Sequence, residues 1–280
     1  MKVLSLFDGI SCGRVALERA GIPVERYVAY EIDKHAIQIS QNNYPDIEPQ
    51  GDVTTANFSE YVGFDMVIGG SPCTYWSIAR AGNGREVSTG LGFDLFIQYH
   101  RALTEAKPKY FLYENNHSIS PSIKDMISEK LGVKPIMINS NLVSAQNRKR
   151  LYWTNIPNVQ QPEDRHILLA DVVKKERGDW RQVGHWTTKV WGNKPKLDYL
   201  NILSQVDKSH TLTTNKSHPL NYYLSDDKTQ YTNLTINEWE QLQTLPIDYT
   251  KCVPKVHRHR MIGNGWTVDV IAHILSGGML

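Results

Sequence analysis

Only three cysteines occur in 280 residues, Cys12, Cys73 and Cys252, and no CxxC or paired-histidine spacing accompanies them. An odd, widely spaced set argues against a disulfide framework and supplies no zinc-type ligand pattern, so no metal is expected. No run of about 18 apolar residues is present, and the N-terminus lacks the apolar core of a secretory leader. A soluble protein of a reducing cytoplasm is expected. An excess of charge of one sign is also missing: 31 Lys and Arg oppose 29 Asp and Glu, for a net charge of +2. A polyanionic partner must therefore be argued from local basic clusters and not from the total. Apolar material, in contrast, is plentiful. Hydrophobic residues make up 40% of the chain and aromatics 10%, enough to offset the entropy lost when such a chain packs.

The first half alternates short apolar runs with helical spacing, the rhythm of βαβ units and a mostly parallel sheet. Strands are predicted at 3–7, 27–30, 66–68, 110–113 and 135–138, and helices at 13–20, 33–42, 93–105 and 122–131. Asp33 is placed to cap a helix N-terminus, and Gly21 and Gly132 to stop helices. After Pro157 this alternation is lost, and polar, basic and aromatic residues mix without a helical period. Helical spacing returns at 235–245 and 266–275. The expected organisation is a doubly wound α/β catalytic domain at 1–158, a loop-rich region at 159–245, and a C-terminal segment at 246–280 that returns to the first domain.

Gly69-Gly70-Ser71-Pro72-Cys73 follows the apolar run Met66-Val67-Ile68. In an open α/β sheet, ligands gather at the carboxyl ends of strands, so Cys73 is a candidate nucleophile as well as a candidate small buried hydrophobe. Phe7-Asp8-Gly9-Ile10-Ser11-Cys12-Gly13 makes a glycine-bearing turn from strand to helix, which suits a nucleotide-like cofactor or ordinary turn chemistry. The second strand ends at Glu31, placed to accept hydrogen bonds from ribose hydroxyls, and Asp52 falls at another strand end, where it could read an adenine amino group. Tyr113-Glu114-Asn115-Asn116 delivers a carboxylate to the same sheet edge as Cys73. Gln146-Asn147-Arg148-Lys149-Arg150 precedes the apolar Leu151-Tyr152-Trp153, and arginines spaced by two point to one side of an extended chain, either to hold an oxygen jointly or as a solvated basic edge.

In this order the motifs resemble those of the DNA cytosine-5 methyltransferases. Gly263-Asn264-Gly265-Trp266-Thr267-Val268 is similar to the family's last motif. Ser71 before Pro72, Ala106-Lys107-Pro108-Lys109, Val143-Ser144-Ala145 and Trp266 resemble the catalytic domain of the eukaryotic de novo branch, whereas the compact length suits a stand-alone bacterial or phage enzyme. The resemblance implies a Rossmann-like S-adenosylmethionine-dependent methyltransferase fold with a small target-recognition domain. It implies Cys73, Glu114, Arg148 and Arg150 as catalytic residues. S-adenosylmethionine would be held by Phe7, Asp8, Gly9, Ile10, Ser11, Gly13, Glu31, Ile32, Asp52, Val53, Pro72, Leu91, Asn264, Gly265 and Trp266.

The implied partner is double-stranded DNA with its target base flipped out, since such chemistry cannot occur inside a stacked duplex. Ser77, Lys174, Lys175, Arg181 and Lys189 are the expected DNA contacts, the last four in a segment where they, Arg177, Lys194 and Lys196 are interleaved with Trp180, Trp186 and Trp191. Asn116 departs from the family pattern, which has a small apolar residue there, and Asn233 and Gln241 stand where arginines are frequent. The alternatives are a tRNA cytosine-5 methyltransferase, whose typical Cys-Phe-Thr tripeptide is absent, and an inactive DNA-binding homologue, which should have lost part of the catalytic set.

Overall fold

A computed structural model describes residues 1–72, 90–182, 207–212, 222–225, 227 and 229–279. By its internal contacts the chain forms two units, one of residues 1–139, 149–162 and 268–280, the other of residues 140–148 and 163–267. The sequence drew its divisions at 158 and 245. Contacts instead assign residues 246–267 to the second unit and the terminal helix to the first.

The first unit is built on a seven-stranded sheet with the order β3-β2-β1-β4-β5-β7-β6. The strands are β1 (Lys2–Leu6), β2 (Arg26–Tyr30), β3 (Ile47–Pro49), β4 (Met66–Gly69), β5 (Tyr110–Asn116), β6 (Ile136–Asn139) and β7 (Lys149–Thr154). Strands β3 to β5 pair in parallel in that spatial order, whereas β7 runs antiparallel to both β5 and β6. This is a Rossmann-like methyltransferase fold. The run at 135–138 is thus an edge strand held by a reversed neighbour, with Met137 38% exposed.

Helices α1 (Cys12–Arg19), α2 (Lys34–Asn43), α3 (Leu91–Ala106) and α4 (Pro121–Leu131) follow β1, β2, β4 and β5, each close to its expected span. Their ends carry the expected chemistry. The Asp33 carboxylate accepts from the His35 amide at 2.9 Å, and Ser120 caps α4 ahead of Pro121 at its first turn. Gly132 stops α4 in the left-handed conformation at φ 69°, which a side chain would resist. In one core cluster Leu4, Leu6, Val28 and Val67 of the strands meet Phe96, Tyr99 and Ala102 of α3 and the fully buried Tyr113 and Trp153. The terminal helix α8 (Val268–Met279) packs on α1, and Arg19 pairs with Asp269.

The second unit holds α5 (Leu169–Val172), α6 (Ile236–Leu242), α7 (Lys255–Asn264) and an antiparallel sheet of β8 (Arg181–Gln182), β9 (Tyr222–Leu224) and β10 (Gln230–Asn233). A small core of Leu169, Val172, Leu212, Leu234, Trp239 and Ile262 holds it together. Among the described residues, no helix is long and apolar enough to cross a membrane, and no cluster of three or more His, Cys, Asp or Glu could hold a metal.

Candidate active site

The sheet reverses its winding between β1 and β4, and in open α/β sheets the crevice outside the carboxyl ends at such a switch point binds ligands. Strand register aligns that edge. Tyr30, Leu6, Gly69 and Tyr113 form one row across β2, β1, β4 and β5. The next residues in the chain, Glu31, Phe7, Gly70 and Glu114, therefore emerge side by side, which is why motifs distant in sequence meet here. Gly69 has a steric cause: a Cβ there would lie 2.7 Å from the Leu6 carbonyl oxygen and 3.1 Å from the Tyr99 ring.

At the end of β1 the loop takes positive φ at Phe7 (57°), Gly9 (61°) and Ser11 (58°). Two of these are not glycine, so the turn is strained and must be held by its surroundings. The holding group is Asp8, whose carboxylate accepts from Ser5 Oγ at 2.6 Å, from Tyr27 Oη at 2.7 Å and from Ser11 Oγ. Burial is the largest influence on Asp8 and raises its carboxyl above the ordinary value. The Ser11 and Ser40 hydroxyl oxygens lie 2.5 Å apart. Ser5, Tyr27 and Ser40 were not anticipated, although a serine inside the apolar run at 3–7 was a legible signal.

Glu31 closes the loop from β2. Its carboxylate accepts from the amides of Gly9, Ile32 and Asp33, each at 2.8 Å. A carboxylate offers about four acceptor positions, so one remains for a ligand hydroxyl. Beside it Ile32 leaves an apolar side chain 75% exposed, and Asp52 is exposed and caps a short turn through the Thr54 amide at 2.9 Å. An apolar face, a carboxylate with spare capacity and open space at Gly9, where a Cβ would meet nothing within 4 Å, fit a nucleoside-bearing cofactor. Ile10 and Val53 are buried, at 1% and 5% exposure, and Gly13 lies inside α1.

The acid and one arginine come together. Arg150 Nε lies 2.9 Å from Glu114 Oε1, each side chain 12% exposed. On the antiparallel pair β5 and β7, Arg150 stands opposite Asn116, so it is the diagonal neighbour of Glu114 on the same face. Asn116, the departure from the family pattern, uses its side-chain oxygen to accept from the Ser118 amide at 3.2 Å.

Arg148 corrects the expectation of an arginine pair working on one side of a strand. β7 begins at Lys149, so the alternation that would align positions 148 and 150 does not extend to Arg148. Arg148 is 4% exposed and donates to the carbonyls of Gly265 at 3.0 Å, Gly263 at 3.2 Å and Leu212 at 3.5 Å, all within the second unit. Gln243 Nε2 reinforces this by donating to Ile262 O at 2.9 Å and Gly265 O at 3.1 Å. The Gly263–Thr267 motif is thereby pinned, with Asn264 exposed, Gly265 buried and Trp266 half-buried.

Of the remaining expected positions, Pro72 is exposed, and Leu91 is 47% exposed at the start of α3. Lys174, Lys175 and Arg181 are exposed in the second unit. Arg177 is not available to a phosphate, because it donates to Glu238 at 3.1 Å and to Asp179 at 2.6 Å with only 9% of its side chain exposed. Cys73, Ser77, Lys189, Trp186, Trp191, Lys194 and Lys196 lie outside the described residues. Cys12 is buried, and burial pushes the Cys252 thiol up, away from a nucleophile's range.

Comparison with known proteins bears on the family. An orphan methyltransferase, M.SPRI of Bacillus phage SPR, is 29% identical over 96% of the chain and 61% of its own length. The type II methyltransferase M.BanI of Aneurinibacillus aneurinilyticus is 33% identical over 56% of the chain and 38% of its own length. The chain thus spans less than two thirds of these relatives. The solved structure of the Entamoeba histolytica methyltransferase EhMeth shares the fold at a TM-score of 0.72 and 14% identity, covering 98% of this chain and 96% of that one. The model of the C-5 cytosine-specific DNA methylases matches residues 1–218 and 173–277, and the chain belongs to that family.

Proposed function

We propose that this protein is a DNA (cytosine-5)-methyltransferase, moving a methyl group from S-adenosylmethionine to carbon 5 of a cytosine flipped out of duplex DNA. The observation that carries the reading is the Glu114–Arg150 pair, at the sheet edge from which the loop toward Cys73 also departs.

S-adenosylmethionine, when bound, supplies an electrophilic methyl group on a sulfonium centre. Glu31 would accept a ribose hydroxyl, Ile32 would pack against the base, Asp52 would accept from its amino group, and the strained turn from Phe7 to Ser11 would bring backbone groups to the polar end. Asn264, Gly265 and Trp266 are assigned to the same cofactor by the family motif.

Carbon 5 of cytosine is too weak a nucleophile to take a methyl group unaided. The Cys73 thiolate would add to carbon 6, breaking the ring's 5,6 double bond and placing electron density on carbon 5. Glu114 would hydrogen-bond or protonate ring N3, neutralising the charge that thiolate attack delivers to the ring. Arg150, oriented by Glu114, would hold the carbonyl oxygen. Once carbon 5 carries the methyl group, its proton leaves to a base and the bond from carbon 6 to Cys73 breaks, which restores the double bond and the thiolate. Arg148 would hold the Gly263–Thr267 segment in the conformation that its motif requires.

Flipping the base costs a few kcal/mol, which contacts to the DNA backbone must offset. Lys174, Lys175 and Arg181 are the described candidates, with Ser77 and Lys189 assigned on sequence grounds. Phosphate contacts of this kind give affinity and salt dependence without sequence information.

The test is methyl transfer from labelled S-adenosylmethionine to duplex DNA and to tRNA, by the wild type and by Cys73→Ala, with bisulfite sequencing of the DNA product. The wild type should label DNA at cytosine and Cys73→Ala should not. Equal incorporation by both proteins would sink the nucleophile assignment, and labelling of tRNA alone would sink the DNA substrate.

A further inference from the structure

We infer that Tyr113 is a positioning residue for the nucleophile loop: its hydroxyl ties Ser71, two residues before Cys73, to Asn115, the residue after Glu114. The inference deepens the proposed methyl transfer and rests on that reading for the roles of Cys73 and Glu114.

The contacts form a continuous chain. The Asn116 amide donates to Asn115 Oδ1 at 2.8 Å, which fixes the flip of that side chain, and Asn115 Nδ2 then donates to Tyr113 Oη at 3.1 Å. The phenol oxygen also lies 2.6 Å from Ser71 Oγ, a hydrogen bond that either hydroxyl can donate. All three side chains are buried: Tyr113 is 0% exposed, Asn115 1% and Ser71 4%. Hydrogen bonds shielded from water in this way are directional and costly to leave unmade, so they hold geometry well.

The Tyr113 ring cannot swing to follow a displaced loop. It is wedged between Tyr99, Phe96 and Trp153, with ring centroids 4.8, 5.3 and 5.8 Å away. Tyr99 is itself anchored by donating to the Val67 carbonyl at 3.2 Å in β4, the strand that leads into Gly69 and Gly70. The phenol is therefore a fixed post. Gly70, the residue after β4, imposes little conformational restraint of its own, and Ser71 supplies what it lacks. A serine ahead of Pro72 gains a physical purpose here, since a second proline at that position has no side-chain group to hydrogen-bond the phenol.

Tyr113→Phe and Ser71→Ala remove the two ends of the bond while keeping the volume of the packing. Each should lower kcat about 10-fold to 100-fold, as small misplacement of a reacting group does, and should leave the KM for S-adenosylmethionine within about twofold. The double variant should be no worse than the worse single one, because both remove one interaction. Amide exchange of Gly70 and Ser71 should quicken in either variant while that of β1 and β2 stays unchanged. Wild-type kcat in Tyr113→Phe, a loss confined to KM, multiplicative losses in the double variant or unchanged exchange at Gly70 and Ser71 would each overturn the tether. If Tyr113→Phe proves unstable, Ser71→Ala reads the same bond. Methyl transfer by Cys73→Ala would instead overturn the proposed nucleophile, and the exchange measurement would still judge the tether.

Discussion

Arg150 meets Glu114 through a single 2.9 Å contact between a guanidinium Nε and a carboxylate oxygen, diagonally across two antiparallel strands. The pair makes each partner's orientation depend on the other, and both stand at the row of strand ends where β1, β2, β4 and β5 finish.

The first prediction follows from that dependence. Glu114→Gln should lower single-turnover methyl transfer by about 10²-fold to 10⁴-fold, the range of a lost general acid. Arg150→Met should lose about 10²-fold or more, while the double variant should fall no further than the worse single one, because the groups act as a unit. Rapid-quench rates for the three variants check this, and additive losses would refute it.

Gly69→Ala should destabilise the first unit by about 1 to 3 kcal/mol, the usual range for overpacking a filled site. The added methyl would stand 2.7 Å from the Leu6 carbonyl oxygen, a backbone atom in a central strand that has little room to yield. Urea denaturation measures the loss; a midpoint equal to that of wild type would show that β1 and β4 can separate freely.

Asp8 makes stability depend on pH in a defined direction. Burial raises its carboxyl above the ordinary 3.8, so the native state keeps the proton to higher pH than the unfolded chain does. Asp8 should therefore favour the fold fully below 3.8 and progressively less as pH rises through the folded value. Asp8→Asn removes this contribution. The difference in Tm between wild type and Asp8→Asn should shift against the wild type as pH rises from about 4 to about 7. A constant difference would contradict the burial effect.

Glu238→Ala should cost the second unit about 3 kcal/mol. Its carboxylate, 2% exposed, accepts from Arg177 at 3.1 Å, from the Lys174 amide at 3.0 Å and from the Thr235 amide at 2.6 Å. Removing it leaves Asp179 as the carboxylate paired with Arg177, beside the Asn233 carbonyl, and opens the cap of α6. Thermal unfolding followed by tryptophan fluorescence reads the loss through Trp239 in that core; an unchanged transition would show that Asp179 suffices.

The amino-acid sequence by itself determined the alternation of strands and helices in the first half, the caps at Asp33 and Gly132, and the motif order that identifies the family. These are local or ordered along the chain, because a 2.0 or 3.6 residue period and a turn residue act on their immediate neighbours. Glu31 and Glu114 were legible as strand-end acids for the same reason. Only the tertiary structure decided which side chains become partners. It reversed β7 between β5 and β6, turned Arg148 toward Gly263 and Gly265 while Arg150 went to Glu114, and gave Arg177 to Glu238. It also surrounded Asp8 with the hydroxyls of Ser5, Ser11 and Tyr27, and joined Tyr113 to Ser71 across 42 residues of chain. Such choices depend on strand register and on which buried polar groups find one another in a filled core, and neither leaves a periodic trace in the sequence.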